Sequence, residues 1–286
     1  MLRHTFCHLP GVAAGTEQRL WSAGLTTWDH ALAGEGTKKK TPGRKLPADL
    51  LRESVQRHGA GDVAWFAEHL PAAQSWRLFA DFRARCAYLD IETTGMESYD
   101  IVTTIALYDG KTIRTYVRGR NLEAFANDVR AYKLLVTYNG KAFDLPFLRR
   151  CLGCSLDHGH IDLRHTLAAL GVKGGLKSCE QQLGVTRAGL EEVNGYMAVL
   201  LWQDYQRKKD QRSLDTLLAY NVQDTVNLEA LMVYAHNANL DRLGEAPFAA
   251  GYRIVPTKGM ANPFAADAGT VKRIACGMPF SFRAGG

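Results

Sequence analysis

The chain has 286 residues, 46% of them hydrophobic and 22% charged, the make-up of a globular protein with a sizeable core. No apolar run approaches the roughly 18–20 residues that span a bilayer, and the opening "MLRHTFCHLPG" lacks the apolar core of a signal peptide. The expectation is a cytoplasmic chain with no membrane partner. A net charge of +6 and a pI near 9.0 favour a polyanionic partner without specifying one.

Residues 1–33 read as a short separate unit. "LPGVAAGTEQRLWSAGL" resembles a degenerate helix-hairpin-helix: Gly11 matches the first glycine of that motif's turn, but Ala13 stands where a second is usual. The unit is then a phosphate contact, a small helical cap or a protein-docking site. Residues 34–84 begin with "GEGTKKKTPGRKLP", a basic linker whose Lys38, Lys39, Lys40, Arg44 and Lys45 are either solvated or phosphate contacts. Apolar residues then recur at helical spacing, at Leu50, Leu51, Val55, Val63, Phe66, Leu70, Trp76, Phe79 and Phe82, which predicts two or three helices.

The main domain is expected over residues 85–240. "CAYLDIETTG" predicts a buried strand followed by a turn at Gly95, and "DIVTTIALYDG" with "KTIRTYVRG" predicts a hairpin turning at Asp109-Gly110. "NLEAFANDVRAY" has helical spacing, "KLLVTY" is a further strand, and helices follow over 143–152, 162–170, 176–183, 195–209 and, with a break, 213–237. This order suggests an α/β fold, a mixed sheet covered by helices. Residues 241–286 read as an irregular tail.

The six cysteines, irregularly placed, read as reduced thiols. In "CLGCSLDHGH", Cys151, Cys154, His158 and His160 have a spacing that could hold zinc, but four ligands crowded into one short stretch equally describe a helix end and its loop.

The carboxylates are more informative. Asp90 and Glu92 are two apart on a strand, so both side chains face one way. Their repulsion is relieved by a divalent cation, unless one of them turns to solvent past the strand end. In "VTYNGKAFDLPFL" Asp144 follows an Asn139-Gly140 turn at the start of a helix. In "LLAYNVQDTVNLEAL" Tyr220 and Asp224 are four apart on one helical face. Thr93, Asn139 and Lys141 are candidates for substrate phosphates, or simply turn and solvated residues. Asp162 in "HIDLRH" reads as a helix N-cap.

Taken in order, "YLDIETTG", "YNGKAFDLPFL" and "YNVQDTVNL" resemble the three motifs of the DEDD exonucleases, the last two also resembling those of B-family DNA polymerase proofreading domains. From about Trp76 to Ala235 the chain resembles the YprB-like proteins, a predicted ribonuclease-H-like exonuclease family. "WRLF", "LDIETTG", "LYDG", "VTYNGKAFD", "HIDL", "LKSCEQQLG" and "YNVQDTVNL" fall in that family's order. The resemblance implies a ribonuclease-H-like mixed sheet and a metal-dependent 3′–5′ exonuclease of the tyrosine branch, acting on DNA or RNA. It also implies two divalent cations, Mg²⁺ or Mn²⁺, held by Asp90, Glu92, Asp144 and Asp224. By family analogy Asp90 bridges both ions, Glu92 and Asp224 hold the one that activates water, and Asp144 serves the other. Tyr220 orients water, because a phenol with a pKa near 10 is a poor base at neutral pH. An endonuclease of the same chemistry, a non-catalytic nucleic-acid-binding module and an interaction scaffold are the alternatives.

Overall fold

The computed structural model describes residues 1–34, 46–187, 189–244, 246–257 and 259–278; the basic residues Lys38, Lys39, Lys40, Arg44 and Lys45 of the linker lie outside the described residues. Helices α1 (Ala14–Ser22), α2 (Trp28–Ala33), α3 (Ala48–Gly59), α4 (Val63–His69) and α5 (Arg77–Phe82) precede the sheet. Gly11 takes a φ of 73°, as the hairpin reading requires, but only a single 3-10 turn, Leu2–His4, comes before it.

The first residues are tied firmly to α5. Glu17 of α1, fully buried, accepts hydrogen bonds from the Phe6 amide at 2.6 Å, the Thr5 hydroxyl at 2.6 Å and the Arg77 guanidinium at 2.6 Å. A buried carboxylate is tolerable only when its lone pairs are taken up in this way. Met1, Phe6, Trp21 and Trp28 share one apolar core with Phe66, Trp76, Phe79 and one face of the sheet.

The sheet has five strands in the order β3-β2-β1-β4-β5: β1 (Cys86–Thr93), β2 (Val102–Tyr108), β3 (Ile113–Val117), β4 (Leu134–Thr137) and β5 (Gly159–Asp162). The meander β1–β2–β3 is antiparallel, whereas β4 and β5 are parallel to β1, which gives the mixed sheet expected from the sequence. The Asp109-Gly110 turn forms as predicted: Gly110 has a φ of 86° and the Asp109 carboxylate accepts from the amides of Lys111 and Thr112.

A short helix α6 (Phe125–Asp128) and α7 (Asp144–Leu152) cover the sheet face that carries Ala87, Leu89 and Ile91. On the other face, which carries Cys86 and Tyr88, lie α5, α8 (Leu163–Ala169) and the long α11 (Gln211–Asp241). Helices α9 (Leu176–Gln182) and α10 (Gly195–Lys208) lead into α11.

Three elements differ from the sequence reading. β5 forms where a loop was expected; Gly159 lets it lie against α4, since a Cβ there would meet Val63 Cγ1 at 2.2 Å. α11 runs unbroken because most of it is buried, and tertiary contact on several faces replaces the single amphipathic stripe. The tail reading fails for Ala268–Gly277, which form α12, capped by Asp267 onto the Thr270 amide and burying Val271 and Ile274 against α10 and α11. No helix among the described residues is long and apolar enough to cross a membrane.

Candidate active site

β1 pairs with β4 only as far as Tyr88, opposite Val136, so its second half has no β4 partner on that edge. Asp90 and Glu92 stand on this overhanging half and face α11. There Asn221, buried within the helix, accepts from the Thr104 hydroxyl at 3.1 Å and donates from Nδ2 to Asp90 Oδ2 at 2.7 Å. An ionised Asp90 can only accept, so it draws the Nδ2 end of the amide and leaves Oδ1 to the Thr104 hydroxyl, which can donate. Asp224 comes up one turn after Tyr220 on the same helix, as the spacing predicted. Among the described residues, Asp90, Glu92 and Asp224 are the one trio of acids offering oxygens within 4.8 Å of one another.

Asp144 arrives from the opposite layer. Thr137 ends β4, Asn139 adopts a φ of 63°, and Gly140 fits because a Cβ there would lie 2.2 Å from Thr137 Oγ1. Asp162, the predicted N-cap of α8, does more than cap. Its carboxylate accepts from the amides of Arg164 at 3.0 Å, Asn139 at 2.8 Å and Lys141 at 3.1 Å, which fastens the turn that launches α7. Asp144 is the first residue of α7 and is buried. It lies close enough to raise the pKa of Asp90 and of Glu92.

The electrostatics follow from placing four acids in a nearly closed space. Asp90 and Glu92 are pushed well above the usual carboxylate range, first by burial and then by the charges of Asp224 and Asp144. Burial lifts Asp144 to about 7, against the pull of backbone hydrogen bonds, and Asp224 to about 6, against the pull of Arg187 and the Tyr220 hydroxyl. Tyr220 is itself raised well above 10 by burial and by Asp224, so it stays a neutral phenol.

Sequence reasoning missed Arg187. This buried guanidinium bonds both Glu180 and Asp224, sits 5.8 Å from the centre of the Tyr220 ring, and leaves its Nη2 without a partner. Glu180 is held from its other oxygen by Asn227 at 2.9 Å. Arg187 lies in an aperiodic stretch, so spacing gave no reason to connect it with Asp224. Asn221 was visible inside "YNVQD", but a helical Asn carries no signal of its own.

The remaining candidates separate. Asn139 bonds Arg164 through its side chain at 2.7 Å, and Lys141 is exposed beside it. Thr93 is buried and gives its hydroxyl to the Gly95 carbonyl at 2.6 Å, which closes the turn after β1. The Cys151, Cys154, His158 and His160 stretch forms no metal-holding group among the described residues. Cys154 donates to the Leu148 carbonyl, His158 to the Val129 carbonyl, and His160, its pKa lowered to about 4 by burial, meets the Thr137 hydroxyl.

This sheet order, with acids gathered on β1 and on helices from both layers, defines a ribonuclease-H-like protein. The model of the RNase_H superfamily matches residues 87–236, more than half of the chain, and the chain belongs to that superfamily of nucleases. Among individual proteins it is similar to "Uncharacterized protein YprB" of Bacillus subtilis (strain 168), 29% identical over 170 residues, which is 51% of this chain and 41% of that protein. The chain thus matches less than half the length of this relative. A family B DNA polymerase from the archaeon Pyrobaculum calidifontis superposes with a TM-score of 0.41 at 18% identity, over 59% of this chain and 28% of the polymerase, a likeness too loose to bear on function.

Proposed function

We propose that the chain is a two-metal-dependent 3′–5′ exonuclease that hydrolyses phosphodiester bonds of DNA or RNA. The observation that carries this reading is the convergence of Asp90, Glu92 and Asp224 within 4.8 Å, with Asp144 beside them. Four buried acids with one guanidinium among them make a cluster short of positive charge, and carboxylate oxygens are the donors that Mg²⁺ and Mn²⁺ prefer. Asp90, Glu92 and Asp224 would hold one ion, and Asp144 with Asp90 the second. Such ions supply the charge that makes water nucleophilic near neutral pH and that stabilises the attacking and departing oxygens.

The chain's own groups do the rest. Asn221 holds the Asp90 carboxylate in one orientation, and the Asp162 clamp does the same for the turn carrying Asp144. Tyr220 keeps its proton and orients the attacking water through its hydroxyl; it is not the base.

The test is a time course on single strands labelled at the 5′ or the 3′ end, DNA and RNA in parallel, with Mg²⁺, Mn²⁺ or EDTA, comparing the wild type with Asp144→Asn. The expected result is a metal-dependent ladder shortening from the 3′ end and absent from the variant. Internal cuts at early times point to an endonuclease. Bound but uncut strands with a folded wild type point to the non-catalytic binding module.

A further inference from the structure

The turn that delivers Asp144 has a second side. Tyr138 and Asn139, Arg164 and Ala168 of α8, and the Lys173-Gly174-Gly175 loop line a cleft of about 650 Å³. The Tyr138 hydroxyl donates to the Gly174 carbonyl and joins the two walls. Arg164 and Lys173 are both exposed, and no acidic residue lines the cleft. The nearest acid is Asp162, which is buried with both oxygens already taken by backbone amides. Among the described residues neither Arg164 nor Lys173 makes an ion pair; Arg164 instead gives one N–H to Asn139 Oδ1 at 2.7 Å, which aims its planar fork along the cleft wall. Lys141, one residue past Gly140, adds a third exposed cation on the same turn.

The cleft also adjoins the turn that launches α7. From Asn139 the chain winds tightly toward Asp144, with Phe143 N bonded to Asn139 O at 3.2 Å and Leu145 N to Gly140 O at 2.9 Å.

We infer that this cleft is a phosphate subsite for the substrate strand, on the far side of the turn that carries Asp144, with Arg164 and Lys173 as the ligands of the anion. The inference rests on the nuclease reading above and adds the path of the strand: out of the acid cluster, over the Asn139 turn and across α8. An arginine fork and a lysine point charge lining one cleft suit a backbone phosphate, which carries no base identity, so recognition here is blind to sequence.

The test is fluorescence anisotropy of end-labelled single strands, DNA and RNA, on full-length Asp144→Asn protein with Mg²⁺, over a salt series. The Arg164→Gln/Lys173→Gln pair is added to that background. A control pair, Arg52→Gln/Arg207→Gln, removes the same charge elsewhere. The subsite predicts about tenfold weaker binding at moderate salt for the cleft pair and a slope of log K against log salt smaller by about 1, with the control nearly unchanged. Unchanged affinity and slope in the cleft pair, or an equal loss in the control, would overturn the subsite while leaving the nuclease reading intact. If the Asp144→Asn protein bound neither strand at any salt, the nuclease reading itself would fall, and the subsite with it. Melting temperatures of both pairs matched to the background exclude misfolding as the cause.

Discussion

Replacing Asp144 by Asn should make the metal-free protein more stable at pH 8 and have a far smaller effect at pH 5. Burial lifts the folded-state pKa of Asp144 to about 7, against an ordinary value of 3.8. For a carboxyl group raised on folding, the folded state binds the extra proton. Its stability contribution is therefore intact below the unfolded value and is lost as pH rises through the folded value. From pH 5 to pH 8 the unfolded carboxyl stays ionised while the folded one is forced to ionise among Asp90, Glu92 and Asp224. Integrating between those limits gives about 2.5 kcal/mol of lost stability, an order-of-magnitude figure because the four acids titrate together. In a chain of this size that corresponds to roughly 5–10 °C. Buried histidines with lowered pKa values, such as His8 and His160, and the buried amino terminus titrate in or near the same window with the opposite sign. They are common to both proteins, so the quantity to read is the difference in melting temperature between Asp144→Asn and the wild type. It should be measured in EDTA at half-unit steps from pH 5 to 8, and it should climb in favour of the variant. With saturating Mn²⁺ the order should reverse, since ligand binding stabilises only the protein that retains the full site. A difference flat with pH in EDTA would refute the picture of Asp144 as a buried member of a repelling cluster.

Other substitutions probe the supports. Gly140→Ala would push a methyl into Thr137, whose Oγ1 and Cβ lie 2.2 and 2.6 Å from the built position. A loss of about 1–3 kcal/mol in urea unfolding, together with a larger loss of nuclease activity than that destabilisation explains, is the expected pair of results. Arg187→Met strands Glu180, which is 1% exposed, and should cost about 3–5 kcal/mol in the same assay; Glu180→Gln/Arg187→Met should cost less, and an equal or larger loss would argue against the buried pair. Asn221→Leu removes the donor to Asp90 and strands the Thr104 hydroxyl, so Mn²⁺ affinity by calorimetry should fall about 10–100-fold, as for other groups that orient metal ligands.

The parts of this fold visible in the sequence are those set by local periodicity or by chemistry that recurs at a fixed spacing. β1 announces itself by an apolar run broken by two acids of one parity, and the β2–β3 turn by Asp109-Gly110, whose φ of 86° at Gly110 suits glycine. Tyr220 and Asp224 follow from helical spacing alone. What escaped depends on contacts distant in sequence. β5 is four residues long, and only Ile161 among them is a strong strand former; it exists because β4 offers an edge and Gly159 leaves room for Val63. α12 follows a stretch rich in Gly, Pro and Ala and is held by Arg273 on Asp204 and by burial of Val271 and Ile274. Arg187 reaches Asp224 across 37 residues with no repeat connecting them. Asp162 was legible as a cap, but its grip on the Asn139 turn required the parallel pairing of β4 with β5.

Whether these acids form one centre for two divalent ions is read from the stoichiometry of Mn²⁺ binding, followed by calorimetry and by the paramagnetic resonance signal of free ion. Two ions per wild-type chain are expected near pH 8, one in Asp144→Asn, and none held in Asp90→Asn, since Asp90 would serve both. Absence of binding at millimolar Mn²⁺ in a folded wild type, or a stoichiometry indifferent to Asp90 and Asp144, would contradict such a centre.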